Sequence, residues 1–219
     1  MFRKKILNTS NFSTIQNVCL EAQSHSEMLA IVGYPGAGKT TSFKSYVNKN
    51  SNVYYVWVRP TMKAKQFYQS LARAVECEIH GDLDLHSLMN LICNRLNSTY
   101  EKKLLIIDEG GKFKPKFLEY IHELRDLTNL STGIVLAGPG YFKEHVDDWV
   151  KKGIVGIPEF KRRVSHWEIL DPLSKNEITD FIVNYGISDK NFLKNMRKIC
   201  KNYSDLENEI KIFQEENSH

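Results

Sequence analysis

Nine residues, Gly33-Tyr34-Pro35-Gly36-Ala37-Gly38-Lys39-Thr40-Thr41, fit the pattern G-x-x-x-x-G-K-[ST], a spacing that cradles the phosphates of a nucleoside triphosphate. The residue types follow from that chemistry. Gly33, Gly36 and Gly38 let the backbone turn and come close to the phosphates, so that its N–H groups and the dipole of a following helix face the anion. Lys39 is expected to reach the β- and γ-phosphates and the Thr40 hydroxyl to ligate Mg²⁺. Pro35, Ala37 and Thr41 complete the loop as nucleotide-binding positions. The flanks have the form the chemistry needs: an apolar run over 28–32 reads as a buried strand, and 40–47 as a helix.

A second constellation lies further on. Lys103-Leu104-Leu105-Ile106-Ile107-Asp108-Glu109 reads as a strand that ends in two carboxylates. In parallel sheets ligands bind at the carboxyl ends of strands, so this acidic tip is expected beside the glycine loop. Asp108 would hold Mg²⁺, directly or through water. Glu109 would orient and deprotonate an attacking water, which favours hydrolysis over transfer to a small molecule.

These residues need a scaffold. An amphipathic helix is expected over 12–23, a second strand over 53–58, and helices over 66–75 and 85–96. Pro115 suits the first turn of a helix running to about Thr128, followed by a strand over 133–138 and another over 164–170. Ser174 and Glu177 have capping-box spacing and open a helical C-terminal stretch. Apolar strands alternating with helices predict an α/β fold: a parallel five-stranded sheet with helices on both faces. Residues 1–172 are expected to form the nucleotide-binding core with a short helical lead, and 173–219 a small helical lid.

Composition is that of an ordinary globular chain: 219 residues, 42% hydrophobic, 26% charged, net charge +4. The mild basicity permits a nucleic-acid partner without arguing for one. No apolar run is long enough to span a bilayer, and the basic start lacks the apolar stretch of a signal peptide. Cys19, Cys77, Cys93 and Cys200 have no metal-like spacing and read as thiols in a reducing compartment, which makes the cytoplasm the expected location. His122 falls inside a helix and reads as structural.

With these residues in view, the chain resembles an AAA+ ATPase over about residues 13–209. Within that superfamily it is similar to the transposition ATPases of the phage Mu B type and the related transposon target selectors. The resemblance is carried by the glycine loop, by 105–109, by the acidic-basic helix 117–126, by the strand 133–138, and by Phe160-Lys161-Arg162-Arg163-Val164 ahead of 170–174. It implies ATP with Mg²⁺, a ring or helical filament of identical subunits, and an arginine, Arg163 or its neighbour Arg162, that reaches the γ-phosphate held by the next subunit. It also implies loops that face duplex DNA, with Lys63 and Lys65 after the second strand and Lys112, Lys114 and Lys116 after the acidic pair. Such lysines contact phosphates without reading sequence. A transposase is the implied protein partner, with hydrolysis driving disassembly.

The departures are specific. Gly138-Pro139-Gly140 stands where these relatives usually place a polar γ-phosphate sensor, and Glu207 where the lid often carries an arginine, for which Arg197 or Lys201 are substitutes. Both gaps imply slow or partner-dependent hydrolysis. With about 30 residues ahead of Gly33, the N-terminal helix-turn-helix domain of the phage Mu B type is not expected here, and a minimal version is. The alternatives are a helicase-loader-like adaptor, a P-loop kinase for a small metabolite, and a nucleotide-dependent signalling or defence module.

Overall fold

The computed structural model describes residues 7–217, so the basic start of the chain lies largely outside the described residues. Five strands form one sheet in the order β2-β3-β4-β1-β5, and every neighbouring pair is parallel. They are β1 Met28–Val32, β2 Val53–Trp57, β3 Lys103–Asp108, β4 Thr132–Gly138 and β5 Val164–Ile169. The expected sheet is therefore observed, with strand ends within one or two residues of their sequence positions.

The three central strands are buried along their whole length. Their side chains divide by parity, because successive residues of a strand point to opposite faces. Leu29, Ile31, Leu104, Ile106, Val135 and Ala137 join one apolar cluster. Met28, Ala30, Leu105, Ile107, Ile134 and Leu136 join another. The first face is covered by α1 Ser10–His25 and α2 Lys39–Lys49, which contribute Ile15, Val18, Phe43 and Tyr46. Gly133 permits the close approach of α1, since a Cβ there would lie 2.0 Å from the carbonyl oxygen of Ala22.

The second face carries α3 Ala64–Ala74, α4 Leu85–Asn97 and α5 Pro115–Leu127, together with α6 Phe142–Lys151 and α7 Ile157–Arg163. The last two helices were not foreseen in the sequence. The Lys161–Asp147 ion pair, at 2.7 Å, links them, and Lys143 meets the same Asp147 from within α6, at 3.3 Å. Beyond β5, α8 Lys175–Asn184, α9 Lys190–Ile199 and α10 Tyr203–Glu216 enclose their own cluster of Ile178, Phe181, Ile182, Met196, Leu206 and Ile210. The predicted capping box at Ser174 and Glu177 is present. Among the described residues, no helix is long and apolar enough to cross a membrane.

Candidate nucleotide site

The strand order places β4 between β1 and β3, so the glycine loop after β1 and the acidic tip of β3 leave the same end of the sheet. Gly36 and Gly38 have φ of +80° and +86°, a region that favours glycine, and α2 starts directly after Gly38. Lys39 is buried, and its ammonium donates to the carbonyls of Gly33 (2.8 Å) and Tyr34 (3.2 Å). Burial lowers its pKa from the ordinary value, and the charges of Glu109 and Asp108 oppose that shift.

Asp108 is 1% exposed, and three donors converge on it. Its Oδ2 accepts from the Thr40 hydroxyl at 2.7 Å and from the Tyr55 hydroxyl at 2.8 Å, while Oδ1 accepts from the Glu109 N–H at 2.9 Å. Thr40 and Asp108 thus form one hydroxyl–carboxylate pair from positions 68 residues apart. Among the described residues no group of three or more His, Cys, Asp or Glu side chains could hold a metal. Two hard oxygen ligands at a phosphate loop fit Mg²⁺, which takes one or two protein oxygens and completes its shell with phosphates and water. Glu109 sits in the left-handed backbone region at φ +64°, and its carboxylate lies 3.2 Å from the ammonium of Lys112.

A cleft of about 650 Å³ opens beside Lys39 and Glu109 and is also lined by Pro139, Gly140 and Lys143. No polar side chain stands at 138–140, as the sequence indicated. Lys143, in the first turn of α6, supplies a cation to the same cleft and was not singled out in the sequence, because α6 was not foreseen. Exposed Tyr34, Tyr141 and Ile169 rim the opening.

The helices after β5 close onto the loop. The Tyr203 N–H donates to the Gly36 carbonyl at 3.0 Å, and a Cβ on Gly36 would lie 2.5 Å from Asn202 Oδ1. Gly36, Gly38, Thr41, Phe181, Tyr203 and Glu207 line a narrower slot beneath them. Of the two proposed substitutes for the lid arginine, Arg197 hydrogen-bonds the Thr179 hydroxyl of α8 at 2.6 and 2.8 Å, and Lys201 is exposed; neither lines the slot.

Glu177 is the hub of this closure. It accepts from Ser10 of α1, Ser174 of α8 and Tyr203 of α10. Burial pushes its pKa up, but the hydrogen bonds from Ser10 and Ser174 prevail and hold it at about 2. The capping-box spacing revealed its partner Ser174, but not Ser10 or Tyr203.

Arg163 is the last residue of α7 and forms a two-point ion pair with Asp126 of α5, at 2.5 and 2.8 Å. The next residue, Val164, pairs with Met28 at the start of β1, whereas the glycine loop leaves β1 after Val32. Four strand steps of about 3.3 Å separate these ends, so Arg163 cannot serve the nucleotide loop of its own chain. Arg162 is exposed and has no ion pair among the described residues. His122 also meets Asp126, at 3.2 Å, in keeping with a structural role.

Of the lysines expected to face DNA, Lys63 and Lys114 occupy the N-cap positions of α3 and α5, at the same end of the sheet as the glycine loop. Lys65 pairs with Asp82, Lys112 with Glu109 and Lys116 with Glu119. The exposed Trp57 at the end of β2 has Arg59 and Lys112 about its ring, at 5.8 and 5.9 Å from the centroid.

The chain is 31% identical over 125 residues to the ATP-dependent target DNA activator B of Escherichia phage D108, and 30% identical over 125 residues to its namesake from Escherichia phage Mu. Each match covers 52% of this chain and 36% of the relative, so the chain matches about a third of the length of these curated relatives. Among solved structures, Cdc6p from Pyrobaculum aerophilum superposes with a TM-score of 0.70 at 13% identity, covering 98% of this chain and 64% of the other. Domain III of the Thermotoga maritima replication initiation protein DnaA gives 0.59 at 15% identity, covering 97% and 88%. At these identities the likeness is one of fold. The family described as AAA domain matches residues 22–145, from the end of α1 through the glycine loop and acidic tip into α6, and the chain belongs to that family.

Proposed function

We propose that this protein is a Mg²⁺-dependent ATPase that assembles on duplex DNA and regulates a transposase, with hydrolysis driving disassembly. The observation that carries the chemistry is the convergence of Thr40 and Asp108 at 2.7 Å, with Lys39 and Glu109 lining one cleft beside them. Lys39 and the loop N–H groups hold the phosphates, Thr40 and Asp108 hold the cation, and Glu109 activates water. Bound Mg²⁺ supplies charge stabilisation to the transferring phosphoryl group.

The names of the two phage relatives supply ATP dependence and a DNA target, and their aligned region covers about half of this chain. The placement of Lys63 and Lys114 supports the DNA contact. Helix N-caps favour Ser, Thr, Asp or Asn, and a cation there opposes the helix dipole. Two lysines at such positions gain nothing for local stability, whereas a phosphate would be attracted by both the lysine and the dipole. Arg163 or Arg162 completes a neighbour's site in this reading, and its position far from its own loop is what a composite site requires.

The test combines size and turnover. With a non-hydrolysable ATP analogue, the protein should form large assemblies on duplex DNA, and with ATP these should dissolve as phosphate is released. A monomer that is indifferent to DNA and phosphorylates a small molecule would overturn the proposal.

A further inference from the structure

We propose that Tyr55 is a positioning residue for the metal-bearing carboxylate, an inference that rests on the ATPase reading above. Asp108 is buried, and a buried carboxylate requires hydrogen-bond donors around it. Its donors divide unevenly in what else they must do. Thr40 has two partners to serve, Asp108 and the cation. The Glu109 N–H holds Oδ1 and belongs to the backbone that carries the water-activating side chain. Tyr55 has no cation or water to serve: it donates to Oδ2 of Asp108 at 2.8 Å, and its hydroxyl also meets that of Thr40.

The tyrosine is well fixed for this task. It lies on the edge strand β2, paired in register with Ile106, two residues before Asp108 on β3. Residues two apart on a strand share a face, so Tyr55 and Asp108 both point to the face on which α2 begins with the Thr40 segment. The ring packs against the apolar cluster of that face.

With a single donor on Oδ2, the carboxylate could turn about that bond. With hydroxyls from α2 and from β2 on one oxygen and a backbone N–H on the other, its plane is set. The same plane presents Asp108 to the cation and accepts the N–H of Glu109. A phenylalanine would fill the same apolar space, so packing alone does not account for the hydroxyl.

Tyr55→Phe keeps the ring and removes the donor. The readout is the binding of a fluorescent ATP analogue, in EDTA and across a Mg²⁺ series. Removing such an outer-shell partner lowers metal affinity about tenfold. Metal-free nucleotide affinity should stay within about twofold, while the Mg²⁺ concentration for half-maximal tightening rises about tenfold. In an Asp108→Asn background, Tyr55→Phe should shift the Mg²⁺ dependence no further. An unchanged Mg²⁺ dependence, or a parallel loss of metal-free binding, would overturn the proposal. If wild-type binding shows no Mg²⁺ dependence at all, the ATPase reading itself fails and takes this inference with it.

Discussion

Asp108 and Glu109 are adjacent in the chain but lie in different surroundings. Asp108 is buried under three donors, whereas Glu109 is a third exposed, turned into the left-handed region and paired with Lys112. One suits a fixed metal ligand, the other a side chain that must meet water. Glu109→Gln should retain nucleotide binding and lower turnover by about 10²–10⁴-fold, the usual contribution of a general base. Equal loss of binding and turnover would show that Glu109 belongs to the binding surface instead. Lys39→Ala removes the only ammonium within the loop's own carbonyl cradle among the described residues, and titration should find nucleotide affinity abolished. Wild-type affinity in that variant would displace the site.

Among the elements, the C-terminal helices meet the glycine loop through the Tyr203 N–H and are tied to α1 through Glu177, which gathers Ser10, Ser174 and Tyr203. Its carboxyl group is depressed from 4.5 to about 2, so the carboxylate's contribution to stability is complete above about pH 4.5 and is lost as the pH falls toward 2. The thermal midpoint of the wild type should exceed that of Glu177→Gln near neutrality and converge with it through that acid window. A difference independent of pH would assign the effect to packing. The helix end at Arg163 gives a different contrast. Its ion pair with Asp126 is partly exposed and screened by solvent, so Arg163→Ala should leave stability nearly intact. If the arginine acts on a neighbour's phosphate, turnover of the assembly falls on the order of 10³-fold. Mixing Arg163→Ala with Lys39→Ala subunits should restore activity, because each supplies the half-site that the other lacks. Failure of the mixture to recover would leave Arg163 as a tie between α5 and α7.

For the whole molecule, the sheet separates two ends with different chemistry. The carboxyl ends of the strands carry the nucleotide loop, the acidic tip and the lysines of α3 and α5, while Arg163 lies at the other end. A head-to-tail contact between such unlike ends does not close on itself as a two-fold pair, and it generates rings or filaments. DNA affinity on the proposed lysine surface should fall linearly with log salt concentration, with a slope of about −0.9 for each phosphate engaged. Lys63→Ala and Lys114→Ala should each make that slope shallower. Binding that ignores salt would remove the lysines from the interface.

Much of this protein can be read from local pattern alone. Short apolar runs marked the first four strands, Pro172 bounded the fifth, and the glycine spacing marked the loop, because these signals reside in consecutive residues. The acidic tip was legible because a strand period and a terminal Asp-Glu lie in one segment. Helices α6 and α7 escaped notice, since 142–163 mixes charge with apolar residues and carries glycines at 153 and 156. Tyr55 was equally unmarked: its hydroxyl matters only because β2 pairs with β3 in a register that sets it two residues short of Asp108. The same holds for Ser10 and Tyr203, which meet Glu177 from positions far apart in the chain. Local pattern carries the ligand-bearing loop, the acidic pair and the alternating order of strands and helices. Which donors orient Asp108, what ties the C-terminal helices to the loop, and the distance of Arg163 from its own site emerge only in the folded chain. The physical reason is that a side-chain hydrogen bond is set by strand register and helix docking, and spacing along the chain does not carry that information.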